Sequence, residues 1–186
     1  MSLDHAERVQ VKFFVASGAP EAQSVIPIFH AWLRDKRVDD PTLVDVADYS
    51  HVHDGPGVLL VGHASDWYYD HGEGRPGMLF SRKRAFEGGF EARLEDAFRH
   101  ALKACAEFTK DTSAVFSANE ILVRVPDRLH IKNDDAGLAA ATPTVESVAK
   151  KIFGADAKVS IAREGGPRES LTLRLKVDGG PANLPS

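Results

Sequence analysis

The chain has 186 residues, of which 43% are hydrophobic and 27% are charged, so it can bury a core without disulfides. Its formal net charge of −4 at pH 7 argues against a nucleic-acid-binding protein, which normally carries a concentrated basic face. The single cysteine, Cys105, excludes an internal disulfide, and the sequence shows neither a signal peptide nor an apolar run of roughly 18 residues. We therefore expect a soluble cytoplasmic protein that binds neither nucleic acid nor membrane.

The first half of the chain predicts five strands and one helix. Residues 9–15 open with alternating apolar and polar positions, as a half-buried strand does. A helix follows over about residues 26–36, and Pro27, which lacks an N–H group, is expected in its first turn. The four further strands lie between breaks rich in glycine, proline or polar residues, at residues 42–47, 57–63, 66–70 and 77–83.

The second half begins with the clearest helix of the sequence, at residues 89–110. Its apolar residues recur at helical spacing and include Cys105, which is therefore expected to be a buried core residue. The residues predicted to be buried beside it are Phe90, Leu94, Phe98 and Leu102, and those predicted to be exposed are Glu91, Glu95 and Arg99.

A strand and a third helix follow. Residues 121–125 predict the strand, which residues 129–131 either extend or follow. Thr142 as the capping residue and Pro143 at the first helical position predict a helix over residues 143–153.

The sequence closes with two alternating segments, residues 158–162 and 170–177, which predict a hairpin. Residues 178–186 predict a flexible tail after a single domain at residues 1–177. Because hairpins outnumber crossover helices, we expect an α+β fold with a largely antiparallel sheet and the helices packed on one face. The order strand, helix, strand, strand occurs near both ends of the chain, which suggests two similar βαββ units.

The segment at residues 48–77 carries the side chains most typical of a functional site. It contains four of the eight histidines, all three tyrosines and six of the fifteen glycines. Histidine titrates near neutral pH and ligates metals, and glycine lets the backbone approach a ligand closely. The four histidines are His51, His53, His63 and His71.

His51 and His53 form the metal-ligand pair that the sequence predicts, because residues two apart on an extended chain point the same way. The residues that would complete such a set are Asp48, Asp54, Asp70, His71 and Glu73. The run lacks the longer histidine motif of a lactamase-type hydrolase, and one cysteine cannot supply the paired-cysteine zinc motif of a deaminase. The alternative interpretation is that these histidines are hydrogen-bonded loop residues that stabilise a turn.

Chain geometry brings two loops together. If residues 57–63 and 66–70 pair as antiparallel strands, the loops at 48–56 and 71–76 share one end of the sheet. His63 then lies at the other end, roughly 20 Å away at about 3.3 Å per residue. The ligand-binding residues that this arrangement predicts are His51, His53, Asp54, His71, Glu73 and Arg75.

Two further patterns have simpler explanations. Residues 72–77 match G-x-G-x-x-G, but a strand follows where a dinucleotide site needs a helix N-terminus, so no such site is expected. The basic run at residues 82–84 either holds an anion or forms a solvated strand end.

Residues 54–63, Asp-Gly-Pro-Gly-Val-Leu-Leu-Val-Gly-His, are followed by Gly-Arg-Pro-Gly-Met-Leu at residues 74–79. With these two segments the chain resembles a family of small bacterial proteins of unassigned function. The resemblance covers most of the chain and implies no activity, cofactor or site.

Three functions remain open from the sequence. The first is a non-enzymatic module that binds a small-molecule ligand or a protein partner through the loops at 48–56 and 71–76. The second is a hydrolase or related enzyme, metal-dependent, with His51 and His53 as ligands or acid–base groups. The third is a structural homodimer whose exposed edge strand pairs with its twin. The cofactor, if the protein uses one, is left unknown.

Overall fold

The computed structural model of the protein describes residues 3–40, 42–84, 87–178 and 184. These residues form one sheet and three α-helices, in the order β-α-β-β-β-β-α-β-α-β-β. The strands are β1 (Val9–Ser17), β2 (Leu43–Tyr49), β3 (Gly57–Gly62), β4 (Ser65–Asp70), β5 (Gly77–Arg82), β6 (Val115–Val125), β7 (Lys158–Glu164) and β8 (Leu171–Asp178). The helices are α1 (Ala22–Asp35), α2 (Phe90–Asp111) and α3 (Asp135–Phe153). Among the described residues, no helix is both long enough and apolar enough to cross a lipid bilayer.

The sheet has eight strands in the order β2-β3-β4-β5-β1-β6-β8-β7, and every neighbouring pair is antiparallel. The predicted antiparallel α+β fold is therefore confirmed. The units β1-α1-β2-β3 and β6-α3-β7-β8 repeat one order of elements, and their first strands, β1 and β6, pair with each other at the centre. The hairpin of β4 and β5 lies between β3 and β1 and has no counterpart in the second unit.

The three helices cover one face of the sheet. The helix α1 contacts β2 and β3, α2 contacts β1 and β5, and α3 contacts β7 and β8. On α2, the apolar stripe that the sequence predicts is buried, namely Phe90, Leu94, Phe98 and Cys105, while Leu102 is half-buried against the core. Glu91 and Arg99 are exposed as predicted, and Glu95 is half-buried.

Helix α1 begins earlier than the sequence predicts. It starts at Ala22, and Pro27 lies in its second turn, not in the first. A proline at this point leaves the carbonyl of Gln23 without its usual helical partner. The first turn forms nevertheless because Val25 is fully buried in the core, and this tertiary contact outweighs the local preference of proline.

Helix α3 also begins earlier, by eight residues. Asp134 is its capping residue, and its carboxylate accepts a hydrogen bond from the Gly137 N–H at 2.8 Å. Thr142, the predicted cap, instead donates from its hydroxyl to the carbonyl of Leu138 at 2.8 Å within the helix. Pro143 is therefore an interior residue, and the predicted cap was wrong because a stronger cap lies upstream.

The last differences concern strand lengths. The strand β6 begins at Val115, six residues before the predicted start, and residues 129–131 follow it as a turn and loop. Strand β8 extends through Asp178, the first residue of the predicted tail. The remainder of that tail, apart from Leu184, lies outside the described residues.

Candidate ligand-binding site

The face of the sheet opposite the helices, called the open face below, is polar at its centre. Along β1, Val11 and Phe13 belong to the core under the helices, so the alternating residue Lys12 points to the open face. Lys12 lies directly opposite Leu79 of β5 and Leu122 of β6. A lysine therefore sits at the middle of the sheet, between two apolar neighbours.

Lys12 is buried, with 2% of its surface exposed, and its ammonium group is fully hydrogen-bonded. It forms an ion pair with the Asp70 carboxylate, and it donates to the carbonyl oxygens of Arg75 at 2.8 Å and Gly72 at 3.3 Å. Burial lowers the pKa of Lys12, and the charge of Asp70 opposes that shift. The three hydrogen bonds hold the loop at residues 71–76 against the open face.

Phe14, also on this face, is surrounded by three cations. The Arg75 guanidinium carbon lies 4.1 Å from the ring centre, and the Arg174 guanidinium carbon and the Lys12 ammonium nitrogen each lie 4.9 Å from it. Such contacts stabilise a desolvated cation by about 1–2 kcal/mol each. The aromatic ring is 2% exposed, so the cations and the loop cover it from water.

The two arginines over Phe14 are already paired with carboxylates. Arg75 binds Glu120 through two hydrogen bonds of 2.7 and 3.0 Å. Arg174 contacts Glu73 at 2.7 Å and Glu164 at 2.6 and 2.9 Å. Burial disfavours the charged form of Arg174, but the hydrogen bonds that its guanidinium donates to Glu164 and Glu73 outweigh burial and raise its pKa. These cations are neutralised inside the protein.

A pocket of about 360 Å³ lies beside this network, between the open face and the two glycine-rich loops. Strands β1, β4 and β6 form its floor and walls, and the loops after β2 and β4 form its rim. We call it the Arg124 pocket, and its lining residues are Lys12, Asp54, Pro56, Asp70, Gly72, Glu73, Leu122 and Arg124.

Arg124 is the cation of this pocket that no carboxylate in the described part of the chain neutralises. It lies opposite Gln10 of β1 and Thr172 of β8, and its Nε donates to the Thr172 hydroxyl at 3.3 Å. Among the described residues, its side chain has no other hydrogen bond and no ion pair. Its charge contributes to lowering the pKa of Lys12, which places the two cations near each other. A half-buried guanidinium without an internal anion is an available binding group for an external one.

Asp54 supplies an accessible carboxylate at the rim of the same pocket. Its side chain is 60% exposed, and its ion-pair partner among the described residues, His53 at 3.1 Å, is 96% exposed. Asp54 has a φ of 52° in the turn that joins β2 and β3, a conformation that aspartate tolerates better than most residues. The turn is closed by the Gly55 N–H, which donates to the Val52 carbonyl at 3.0 Å.

The structure brings together part of the predicted ligand-binding set. Asp54 and Glu73 line one pocket, so the two loops do share one end of the sheet. His63 lies at the other end, after β3, where its carbonyl accepts a hydrogen bond from Arg84 at 3.2 Å. The predicted separation of His63 from the two loops is confirmed. The binding roles of the loop residues remain predictions.

The remaining four predicted residues have other surroundings. The His51 ring stacks on Tyr49 at 6.3 Å between centroids, and His53 projects into solvent. The His71 ring packs edge-on against Tyr69 at 4.9 Å, and Arg75 is bound to Glu120. In the described part of the chain, no group of three or more histidine, cysteine, aspartate or glutamate side chains is arranged to hold a metal ion.

Sequence reasoning missed the residues that strand pairing contributes, chiefly Lys12, Leu122 and Arg124. Lys12 did carry a recognisable pattern, because it interrupts the apolar run Val-Lys-Phe-Phe-Val of a central strand. A charged side chain between core residues needs a partner, and that need could have been inferred. Arg124 carried no such pattern, since an arginine next to the end of a strand is ordinary.

The basic run at residues 82–84 is largely neutralised by the protein itself. Arg82 forms an ion pair with Asp96, and Lys83 contacts Asp66 at 2.8 Å and the Gly62 carbonyl at 2.6 Å. The interpretation of this run as an anion site therefore has less support than the Arg124 pocket.

Comparison of the chain with protein-family models, with curated proteins and with solved structures gives no match. The geometry of the Arg124 pocket is therefore the basis for assigning a function.

Proposed function

We propose that the chain is a ligand-binding module and that its Arg124 pocket takes a small molecule bearing a carboxylate. The observation that carries this proposal is the state of Arg124, a half-buried guanidinium in a pocket with no internal carboxylate partner among the described residues. A planar guanidinium binds a carboxylate through two parallel hydrogen bonds, which gives both affinity and orientation.

The other lining residues support a small ligand with both polar and apolar parts. A volume of about 360 Å³ falls at the lower end of the range for small-molecule sites. Leu122 and Pro56 provide apolar surface, while backbone and charged groups provide polar contacts. Lys12 is held by three internal hydrogen bonds, so it contributes positive charge without leaving its partners.

A carboxylate fits better than a phosphate. Asp54 also lines the pocket without a buried partner among the described residues, and a dianion would meet more repulsion from its carboxylate than a single charge does. A singly charged carboxylate, bound at the Arg124 end, meets less. We therefore propose carboxylates as the preferred class of ligand for this pocket and phosphate esters as the second class.

Titration of the full-length protein with sodium acetate and sodium propionate, followed by NMR at constant ionic strength, tests the proposal. The amide signals of residues 70–73 and 122–124 are expected to shift in a saturable way. Arg124→Gln should weaken binding by about tenfold or more, since a hydrogen bond to a charged group contributes about 1.5–3 kcal/mol.

The matched control is Arg128→Gln, which removes the same charge from an exposed turn outside the pocket. It should leave binding unchanged. Equal weakening by both substitutions, or saturable shifts confined to other regions, would contradict the proposal. Tighter binding of inorganic phosphate than of the carboxylates would reverse the order of the two ligand classes.

A second candidate function, a homodimer through β2, has one specific observation in its favour. Val44, Tyr49 and Val52 are large hydrophobic residues with 43–60% of their surface exposed, and they lie on this edge strand and the turn after it. An unpaired edge with apolar side chains is a template for pairing with a second chain. Measuring the mass in solution, for the natural chain and for Val44→Lys, tests it. A monomeric natural chain would exclude it.

A cytoplasmic location belongs to the same set of proposals. The buried, unpaired thiol of Cys105 is compatible with a reducing compartment. Detection of the protein in a fractionated cell extract tests this point.

A further inference from the structure

The charges of the Arg124 pocket form two internal pairs and leave one group of each sign. Lys12 pairs with Asp70, and Glu73 pairs with Arg174 from outside the pocket lining. Among the described lining residues, Arg124 and Asp54 remain without a buried partner. The pocket therefore presents one available cation and one available anion to whatever enters it.

The two available groups come from different parts of the fold. Arg124 projects from β6 at the floor, where Thr172 orients its guanidinium through Nε. Asp54 lies in the turn between β2 and β3 at the rim, and among the described residues only the solvent-exposed His53 contacts its carboxylate. A ligand that touches both must carry a negative charge at its inner end and a positive charge at its outer end.

The rim carries a second acidic residue in an uncommon backbone conformation. Among the described residues, three that are not glycine have a positive φ, and two of them, Asp54 and Glu73, line this pocket. Glu73, with a φ of 65°, is fixed by its ion pair with Arg174. Asp54, which has no such cationic partner among the buried described residues, adds negative potential at the rim, which favours a bound ammonium group there.

From this distribution of charge we infer that the ligand is a small zwitterion, an amino acid in the broad sense, with its carboxylate on Arg124 and its ammonium group on Asp54. The inference deepens the proposed function and rests on it. A simple carboxylate would contact Arg124 alone and a simple amine would contact Asp54 alone, whereas a zwitterion makes both contacts at once. Loss of either charge should reduce affinity.

Three matched series of probes test the inference on the full-length protein by NMR titration or calorimetry. The amino acids are glycine, β-alanine and 4-aminobutanoate, which differ in the spacing between their charges. Each amino acid is compared with the acid that lacks its amine, which is acetate, propionate or butanoate respectively. It is also compared with the amine that lacks its carboxylate. At the best spacing, the amino acid is expected to bind about two- to fivefold more tightly than the plain acid, because Asp54 is 60% exposed and water screens its ion pair. Relative to the plain amine, which lacks the contact with Arg124, the gain should be about tenfold or more.

Two substitutions separate the contributions of the two ends. Asp54→Asn should remove the advantage of the amino acid without weakening binding of the plain acid, because it removes a like charge from the pocket and asparagine also tolerates a positive φ. Arg124→Gln should weaken binding of the acid and the amino acid alike. Asp156→Asn, an exposed carboxylate between α3 and β7, is the matched control and should change neither.

The outcomes distinguish the two levels of the proposal. Equal affinity for the amino acids and the plain acids, with loss of both in Arg124→Gln, would overturn the zwitterion and keep the carboxylate site. Binding of neither series to the folded protein would overturn both. If Asp54→Asn displaces the turn, seen as shifted amide signals across residues 49–57 in the free protein, Asp54→Gly provides the second variant, because glycine adopts a positive φ freely. Retention of the amino-acid advantage in it would also overturn the inference.

Discussion

The side chain of Lys12, on β1, crosses the neighbouring strand β5 to reach Asp70 at the end of β4. It passes directly over Gly77, because a Cβ atom at that position would lie 2.7 Å from the Lys12 Cε and 2.5 Å from the Phe13 carbonyl oxygen. Because Gly77 has no side chain, Lys12 can reach Asp70 across β5. The resulting ion pair joins β1 and β4, which are not neighbours in the sheet.

Replacing Lys12 by methionine should lower the free energy of unfolding by about 3 kcal/mol. Methionine keeps the apolar stem but leaves the Asp70 carboxylate and two carbonyl groups without their donor, and removing one member of a buried pair costs about 3–5 kcal/mol. We expect the lower end of this range because Asp70 is 16% exposed, so water partly solvates the carboxylate when Lys12 is removed. Urea unfolding measures the effect.

The control for Lys12→Met is Lys176→Met, which removes an exposed lysine from β8 and should change the stability by less than about 0.5 kcal/mol. In the double variant Lys12→Met with Asp70→Asn, part of the loss should be recovered, since the unpaired carboxylate is gone. Equal losses in Lys12→Met and Lys176→Met would refute the structural role of the ion pair.

Replacing Gly77 by alanine should destabilise the protein by about 1–3 kcal/mol through overpacking, because the added methyl group collides with both backbone and the Lys12 stem. Gly166→Ala is a suitable comparison, since its nearest neighbour would lie at an ordinary 3.6 Å. Thermal unfolding of the two variants measures the difference. A Gly77→Ala protein as stable as Gly166→Ala would show that Lys12 does not cross β5 as described.

His71 should make stability depend on pH. Burial lowers its pKa, the charge of Lys12 acts in the same direction, and the charge of Asp70 opposes both. The unfolded chain therefore binds a proton more readily than the folded one. The stabilising contribution is complete above the ordinary pKa of about 6.5 and is lost as pH falls from there through the lowered folded pKa.

Unfolding measured between pH 7.5 and 5 checks this. The natural chain should lose more stability over that range than His71→Leu does. His53→Gln should behave as the natural chain, because His53 is 96% exposed and the substitution disturbs no buried contact. If the free energy of unfolding changes with pH in the same way for the natural chain and for His71→Leu, His71 does not contribute to the pH dependence of stability.

Cys105 should resist thiol reagents while the protein is folded. The thiol is 1% exposed, and burial raises its pKa well above the usual range, so almost no thiolate forms at neutral pH. With a disulfide-exchange reagent at pH 8, the folded protein should be labelled only as fast as its core opens. In urea, where the chain is unfolded, labelling should be rapid. Fast stoichiometric labelling of the folded chain would be inconsistent with a core position.

The elements that could be predicted from sequence are those whose pattern is local. The stripe around Phe98 and the alternation from residue 9 onward identify α2 and β1 because burial repeats with the period of the backbone. The first half of β6 was missed because Ser117, Asn119 and Glu120 make it polar. Its strand character comes from pairing with β1 and β8, which no local pattern records.

The residues of the candidate site divide in the same way, into those that a local sequence pattern predicts and those that only strand pairing brings to the site. Asp54 and Glu73 could be predicted because they lie in two glycine-rich loops, and the order of the strands places both loops at one end of the sheet. Arg124 was not found, because its neighbour Lys12 lies more than a hundred residues away in the chain and meets it only across the β1–β6 ladder. A contact of that kind depends on the topology as a whole.

The pairing of β1 with β6 has a consequence for how the molecule comes together. The first βαββ unit contributes Lys12, Asp54 and Pro56 to the Arg124 pocket, and the second contributes Leu122 and Arg124. The remaining lining residues come from the end of β4 and the loop after it, so neither unit alone can contain the site. Two fragments cut in the connection between α2 and β6 should therefore regain binding only when mixed. A ligand bound across the ladder would hold the fragments together, and its occupancy would add directly to their affinity for each other.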